Sequence, residues 1–103
     1  MIKSRLSMDA KTLLRTRRKE ILEIAARHGA VNVRVFGSVA RGDDRPDSDI
    51  DFLVNLESGR SLLDLARLLR ELNTLLGYPV DVITEAGLRP RIKPQVLREA
   101  RPL

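Results

Sequence analysis

VNVRVFGSVARGDDRPDSDIDFLVN, residues 31–55, decides how this chain folds. Val31, Val33 and Val35 alternate with Asn32, Arg34 and Phe36, the period-2 pattern of a strand over Val31–Phe36. Gly37-Ser38 follows at once, and a short helical turn is expected through Ala40 and Arg41. Residues 42–48, Gly-Asp-Asp-Arg-Pro-Asp-Ser, are turn formers. Asp49–Asn55 then reads as a second strand. Ile50, Phe52 and Val54 share one face of it, and Asp49, Asp51 and Leu53 the other.

Upstream, a helix is expected from an N-cap at Asp9 to the terminator His28-Gly29. It would turn Leu13, Leu14, Ile21, Leu22, Ile24 and Ala25 inward. Lys11, Arg15, Arg17, Arg18 and Lys19 would face out. Residues 1–8 are expected to be loosely ordered. Downstream, Ser61 and Asp64 have the spacing of a capping box. Leu62, Leu65, Leu69, Leu72 and Leu76 recur at steps of three and four, which predicts a helix ended by Gly77. Only two heptads are present, so this stripe reads as core rather than as a dimer seam. Val80–Ile83 predicts a third strand. A last short helix is expected within Leu88–Ala100, interrupted or begun near Pro94.

The resulting order is helix, strand, turn, strand, helix, strand, helix. That is an α/β (α+β) chain, read as one domain over 1–103, with a small mixed sheet of at least three strands packed with helices. Strands two and three, joined through a helix, should pair in parallel. Strands one and two, joined by a short connection, should pair antiparallel.

Composition narrows the chemistry. The 103 residues include no cysteine and one histidine, His28. Thiolate and multi-histidine metal sites are therefore excluded, and any metal must be held by oxygens, as a hard cation such as magnesium is. With aromatics at 3%, the core must be aliphatic and few rings are available to stack unpaired bases. Neither a signal peptide nor an apolar run of membrane length is visible, and a cytoplasmic location is expected. The net charge of +5 is unevenly spread. Residues 1–34 carry nine basic and three acidic side chains, whereas 35–58 carry two basic and six acidic. An acidic island thus sits inside a basic chain.

Asp49 and Asp51 project from the same strand face, and two carboxylates held together repel unless a cation lies between them. Asp81 is the third acid, set in the apolar strand Val80-Asp81-Val82-Ile83. If that strand lies beside the second, Asp81 can face the other two. Three carboxylates could then hold two magnesium ions roughly 3.5–4 Å apart. Ser48, just before the pair, can bond the backbone and hold the turn. Gly37 lets a ligand approach the backbone closely, and Ser38 adds a hydroxyl donor. Arg41 could reach a phosphate or a partner.

Gly37-Ser38-Val39-Ala40-Arg41-Gly42, then Ser48-Asp49-Ile50-Asp51 and a hydrophobic strand, resembles the signature of the DNA polymerase β-like nucleotidyltransferase superfamily. The small size resembles its minimal members, which are commonly encoded beside a HEPN-domain protein. The resemblance implies the fold of that superfamily and ATP as donor. It implies that Gly37 and Ser38 bind the β- and γ-phosphates, with Arg41 and Ser48 as further nucleotide-binding candidates. Asp49, Asp51 and Asp81 are implied to be catalytic and to hold two magnesium ions, Asp81 also serving as general base. The implied acceptor is a hydroxyl of a HEPN toxin, often a tyrosine, so that the chain acts as its antitoxin.

Other readings stay open. The chain could neutralise its partner by complex formation alone. The basic first helix could bind nucleic acid. A small molecule could be the acceptor, although no second domain is present to hold it. An oligomer is compatible with all of these.

Overall fold

A computed structural model describes residues 9–103; the expectation for residues 1–8 lies outside them. The chain runs through α1 (Ala10–Thr16), α2 (Arg18–Arg27), β1 (Ala30–Phe36), α3 (Gly37–Arg41), β2 (Ile50–Leu56), α4 (Leu62–Leu76), β3 (Val80–Thr84), α5 (Lys93–Glu99) and β4 (Arg101–Pro102). The sheet order is β3-β2-β1-β4. β1 pairs antiparallel with β2, and β2 pairs parallel with β3 through the α4 crossover, as the connection lengths predict. The fourth strand was not foreseen. It pairs Arg101 and Pro102 with β1, and two residues carry no periodicity to read.

The expected first helix is two helices. The Arg17 amide closes α1 on the Leu13 carbonyl at 2.9 Å, and the Ile21 amide opens α2 on the Arg17 carbonyl at 2.9 Å. No proline or glycine marks the break. Asp9 is the N-cap, its Oδ1 accepting from the Thr12 amide at 2.8 Å. Ala10 and Leu14 are buried on one arm and Ile21, Ile24 and Ala25 on the other. Leu13 and Leu22 are only half-buried.

The alternation expected in β1 is also interrupted. Asn32 has φ 53, and the register with β2 slips between Val31 and Arg34. One residue is extra on β1, a β-bulge, and Asn is among the few residues that tolerate this backbone. The bulge reverses the phase, so that Ala30 and Val35 are buried while Val31 is exposed.

β2 is covered on both faces. Ile50, Phe52 and Val54 join Ile21, Leu68 and Leu72 in the main core, against α2 and α4. Leu53 points the other way, into a smaller core with Leu88 of the β3–α5 connection and Val96 of α5. Phe36 and Ile83 pack there too.

The α4 stripe differs from the expected one. The buried leucines are Leu68, Leu72 and Leu76, spaced by four, whereas Leu62 is 79% exposed. The start of α4 finds no wall to pack on, and the helix docks from Leu65 onward, with Leu65 and Leu69 half-buried beside the buried leucines. The capping box is formed: Leu63 N donates to Ser61 Oγ at 3.2 Å and Ser61 N to Asp64 Oδ2 at 2.9 Å. Pro94 sits in the first turn of α5, where the missing amide hydrogen costs nothing, so the last helix begins there.

Candidate active site

Three chain segments meet at one end of the sheet. β1 ends at Phe36 and turns directly into α3, while β2 and β3 both begin there. A hydrogen bond from the Ile50 amide to the Pro79 carbonyl, 2.9 Å, ties the two beginnings together. It sets the parallel register in which Asp51 pairs with Asp81 and Leu53 with Ile83. Asp51, Leu53, Asp81 and Ile83 therefore stand on the α5 face of the sheet, opposite the main core. Asp49 precedes β2 and is exposed; Asp81 is exposed as well.

Asp51 is half-buried, and its surroundings are unfavourable to a charge. Its pKa is raised to about 6, first by burial and then by repulsion from Asp81 and Asp49; Arg41 opposes the rise. Electrostatics thus link all three acids picked out in the sequence. Among the described residues none of the three enters an ion pair, and no three acidic or histidine side chains already stand together around one cation position. The donor set nevertheless suits a hard divalent cation: oxygen only, mutually repelling, with two members free to turn in solvent.

Gly37 adjoins Asp51. Its φ is +76, and a Cβ placed on it would collide with Asp51 Oδ2. Glycine is required here by backbone conformation and by the carboxylate alike. Ser38 and Val39 lie in α3, whose carbonyls accept from the Gly42 amide. The Ser48 hydroxyl accepts from the Arg45 amide at 2.8 Å and closes the 45–48 turn that delivers Asp49. Its role in the fold is therefore the turn, as its position predicted. Arg41 is not a free cation: it pairs with Asp43 and Glu99, each at 3.2 Å. Asp43 is legible two residues away in the sequence. Glu99 arrives from α5, and no local signal announces it.

Residues 18–103 match the family described as nucleotidyltransferase domain. The chain belongs to that family. This nucleotidyltransferase is 38% identical over 91 residues to the protein adenylyltransferase MntA of Thermococcus cleftensis, a match spanning 88% of this chain and 89% of that protein. It is similar to a solved structure assigned as a minimal nucleotidyltransferase, at 61% identity and a TM-score of 0.83, covering 93% of this chain and 97% of the other. A toxin–antitoxin structure with AMP-PNP shares the fold at a TM-score of 0.70 and 20% identity, over 82% of this chain and 69% of that one. The minimal nucleotidyltransferase resemblance and the mixed-sheet fold are thus borne out. Among the described residues no helix is long and apolar enough to cross a membrane.

Proposed function

We propose that this nucleotidyltransferase transfers AMP from ATP to a hydroxyl of a partner protein, and that the partner is a toxin which the modification silences. The observation that carries the reading is the pairing of Asp51 with Asp81 in register, beside a glycine whose Cβ would collide with the Asp51 carboxylate. The adenylyltransferase relative and the toxin–antitoxin neighbour support the choice of donor and acceptor. A HEPN-domain toxin and its tyrosine are the finer form of the proposal.

Asp49, Asp51 and Asp81 would hold magnesium. Magnesium supplies charge neutralisation of the triphosphate and activation of the acceptor oxygen. Burial first and then repulsion from Asp81 and Asp49 disfavour the charge on Asp51, and a cation among the three would relieve both. Gly37 and Ser38 bind the outer phosphates through close backbone approach and a hydroxyl donor. Arg41 offsets charge beside Asp51. Asp81, exposed to the acceptor side, takes the hydroxyl proton as general base. The hydroxyl oxygen bonds to the α-phosphorus, the bond from that phosphorus to the β-bridging oxygen breaks, and pyrophosphate leaves. The chain's contribution is placement and electrostatics.

The test is label transfer from α-labelled ATP to the protein encoded beside this chain, which this reading expects to be a HEPN-domain toxin, with magnesium present. Transfer is expected with the intact chain and not with Asp49→Ala, Asp51→Ala or Asp81→Ala. Transfer that survives these substitutions would sink the assigned roles. Protection of cells by an Asp49→Ala, Asp51→Ala double variant would favour neutralisation by binding alone.

A further inference from the structure

α3 has two neighbourhoods. Gly37 adjoins the acids, whereas Val39 forms part of a groove of about 410 Å3 between α1, β1 and β4. The groove floor is apolar: Leu14 and Val39 lie buried at its base, and Ala40, Pro102 and Leu103 present the accessible apolar surface. Its rim is cationic: Lys11, Arg15, Arg18 and Arg101 line it, and among the described residues no acidic one does.

These four cations are not neutralised by a paired carboxylate among the described residues. Elsewhere Arg17, Arg27, Arg34, Arg41 and Arg60 each meet a carboxylate. Among the described residues, none of the four rim cations enters an ion pair. Asp9, the acid nearest to Lys11 and Arg15 along α1, accepts from the Thr12 amide, and it feels Arg15 and Lys11 only as more distant charges without an ion pair. Arg18 donates to the Leu103 carbonyl at 2.8 Å, and Arg101 to the Arg98 carbonyl at 3.1 Å. Those bonds place two guanidinium groups at the groove without neutralising them. Like charges gathered this way raise the potential over the groove and attract an anion.

The shape selects among anions. A surface that tracks a nucleic-acid strand offers rings for the bases, and no aromatic side chain lines this groove. An aliphatic floor inside a cationic ring instead fits a peptide with one apolar side chain between carboxylates. The rim also approaches the loop that leads to Asp49: a Cβ on Gly42, at the start of that loop, would lie 3.6 Å from Lys11 Nζ.

We propose that this groove docks an acidic segment of the protein that accepts AMP, with an apolar side chain seated against Ala40, Pro102 and Leu103 above the Leu14–Val39 floor. The proposal rests on the protein-acceptor reading above and names how that acceptor is held. Lys11 and Arg15 are exposed and outside the catalytic machinery, so their substitution tests docking alone.

Two measurements decide it. First, a fluorescent twelve-residue peptide of alternating Glu and Leu is titrated against the intact chain at low salt, with its Gln–Leu analogue and a twelve-nucleotide single-stranded RNA as the other arms. Binding of the acidic peptide is expected, weakened about tenfold by Lys11→Glu, Arg15→Glu and by the Gln analogue. Lys11→Gln, Arg15→Gln gives a smaller loss and guards against misfolding, which circular dichroism monitors. An unchanged affinity in both variants, no peptide binding, or RNA binding in place of peptide binding overturns the proposal. Second, AMP transfer to the partner protein is followed in the charge-reversed variant. KM for the partner should rise about tenfold with KM for ATP unchanged. If the intact chain labels no protein at all, the acceptor reading fails; if it labels the partner and KM is indifferent to the reversal, only the docking inference fails.

Discussion

The α4 wall and the acid end of the sheet both border β2 and β3, yet they treat their polar groups in opposite ways. Along α4 each polar side chain that matters has a partner. Ser61 and Asp64 close the capping box, and Glu71 accepts from Arg27 at 2.8 Å and meets His28 Nε2 at 2.5 Å. Asn73 bridges the Leu69 carbonyl and the Val80 amide, each at 3.1 Å, linking the helix to β3. At the acid end no carboxylate has an ion-pair partner, and the half-buried Asp51, repelled by Asp81 and Asp49, carries a raised pKa. Groups that complete their bonding within the fold stabilise it. Groups left in mutual repulsion cost stability and mark where a ligand completes the bonding.

Substitutions can break this contrast, the acids giving the largest effect. Asp51→Ala or Asp81→Ala should lower AMP transfer about a thousandfold, on the order of 4 kcal/mol in the barrier, while leaving the chain folded. Single-turnover transfer alongside thermal melting separates the two; equal losses of fold and activity would place the acids in the structure rather than the chemistry. Leu68→Ala should do the reverse. Leu68 is fully buried, so about 3 kcal/mol of stability should be lost in denaturant titrations. Transfer per folded molecule should be retained.

A pair of glycines sharpens the same point. Gly37 and Gly77 both have positive φ, +76 and +61, but a Cβ on Gly77 meets nothing within 4 Å. Gly77→Ala should cost about 1 kcal/mol, from backbone strain alone. Gly37→Ala should cost about 2 kcal/mol, because it also displaces the Asp51 carboxylate, and it should impair transfer. Equal costs at the two positions, read by denaturant titration, would mean that Asp51 moves aside freely.

The smallest effect is in pH. Folded Asp51 keeps its proton up to about pH 6, against the ordinary value of 3.8. Between those values the folded chain binds more proton than the unfolded one, so stability falls as pH rises through the window and stays reduced above it. Asp51→Asn removes that loss. It should stabilise the metal-free chain by on the order of 1 kcal/mol at pH 8, a figure reduced for the partial exposure of the group, and by nothing below pH 4. Asp64→Asn should have the opposite sign. The Ser61 amide holds the Asp64 carboxyl below its usual range, so its stabilisation is present at neutral pH and fades on acidification. Melting temperatures of both variants between pH 4 and 8 check the crossing of signs.

Much of this was legible in residues 31–83. The alternation of β2, the cap at Ser61 and the length of each connection were enough to anticipate an antiparallel pair, a parallel pair and a helix between. The Gly37-Ser38 and Asp49-Ile50-Asp51 motifs pointed to the acids before any placement was known. These features are local, set by backbone preference and by the period of the pattern.

What the pattern left open was decided by contact between distant parts of the chain. The break at Arg17 and the bulge at Asn32 carry no mark in the helical or strand pattern. Leu62 matches the leucine stripe but lies where no wall exists, so periodicity alone placed it in the core. Glu99 reaches Arg41 across 58 positions. The neighbourhood of Asp51 and Asp81 needed the Ile50–Pro79 hydrogen bond and the register it imposes. A sequence states which residue types are present and how they repeat. Charge repulsion, burial and the raised pKa of Asp51 are properties of separation in space, and only the folded sheet brings those carboxylates together.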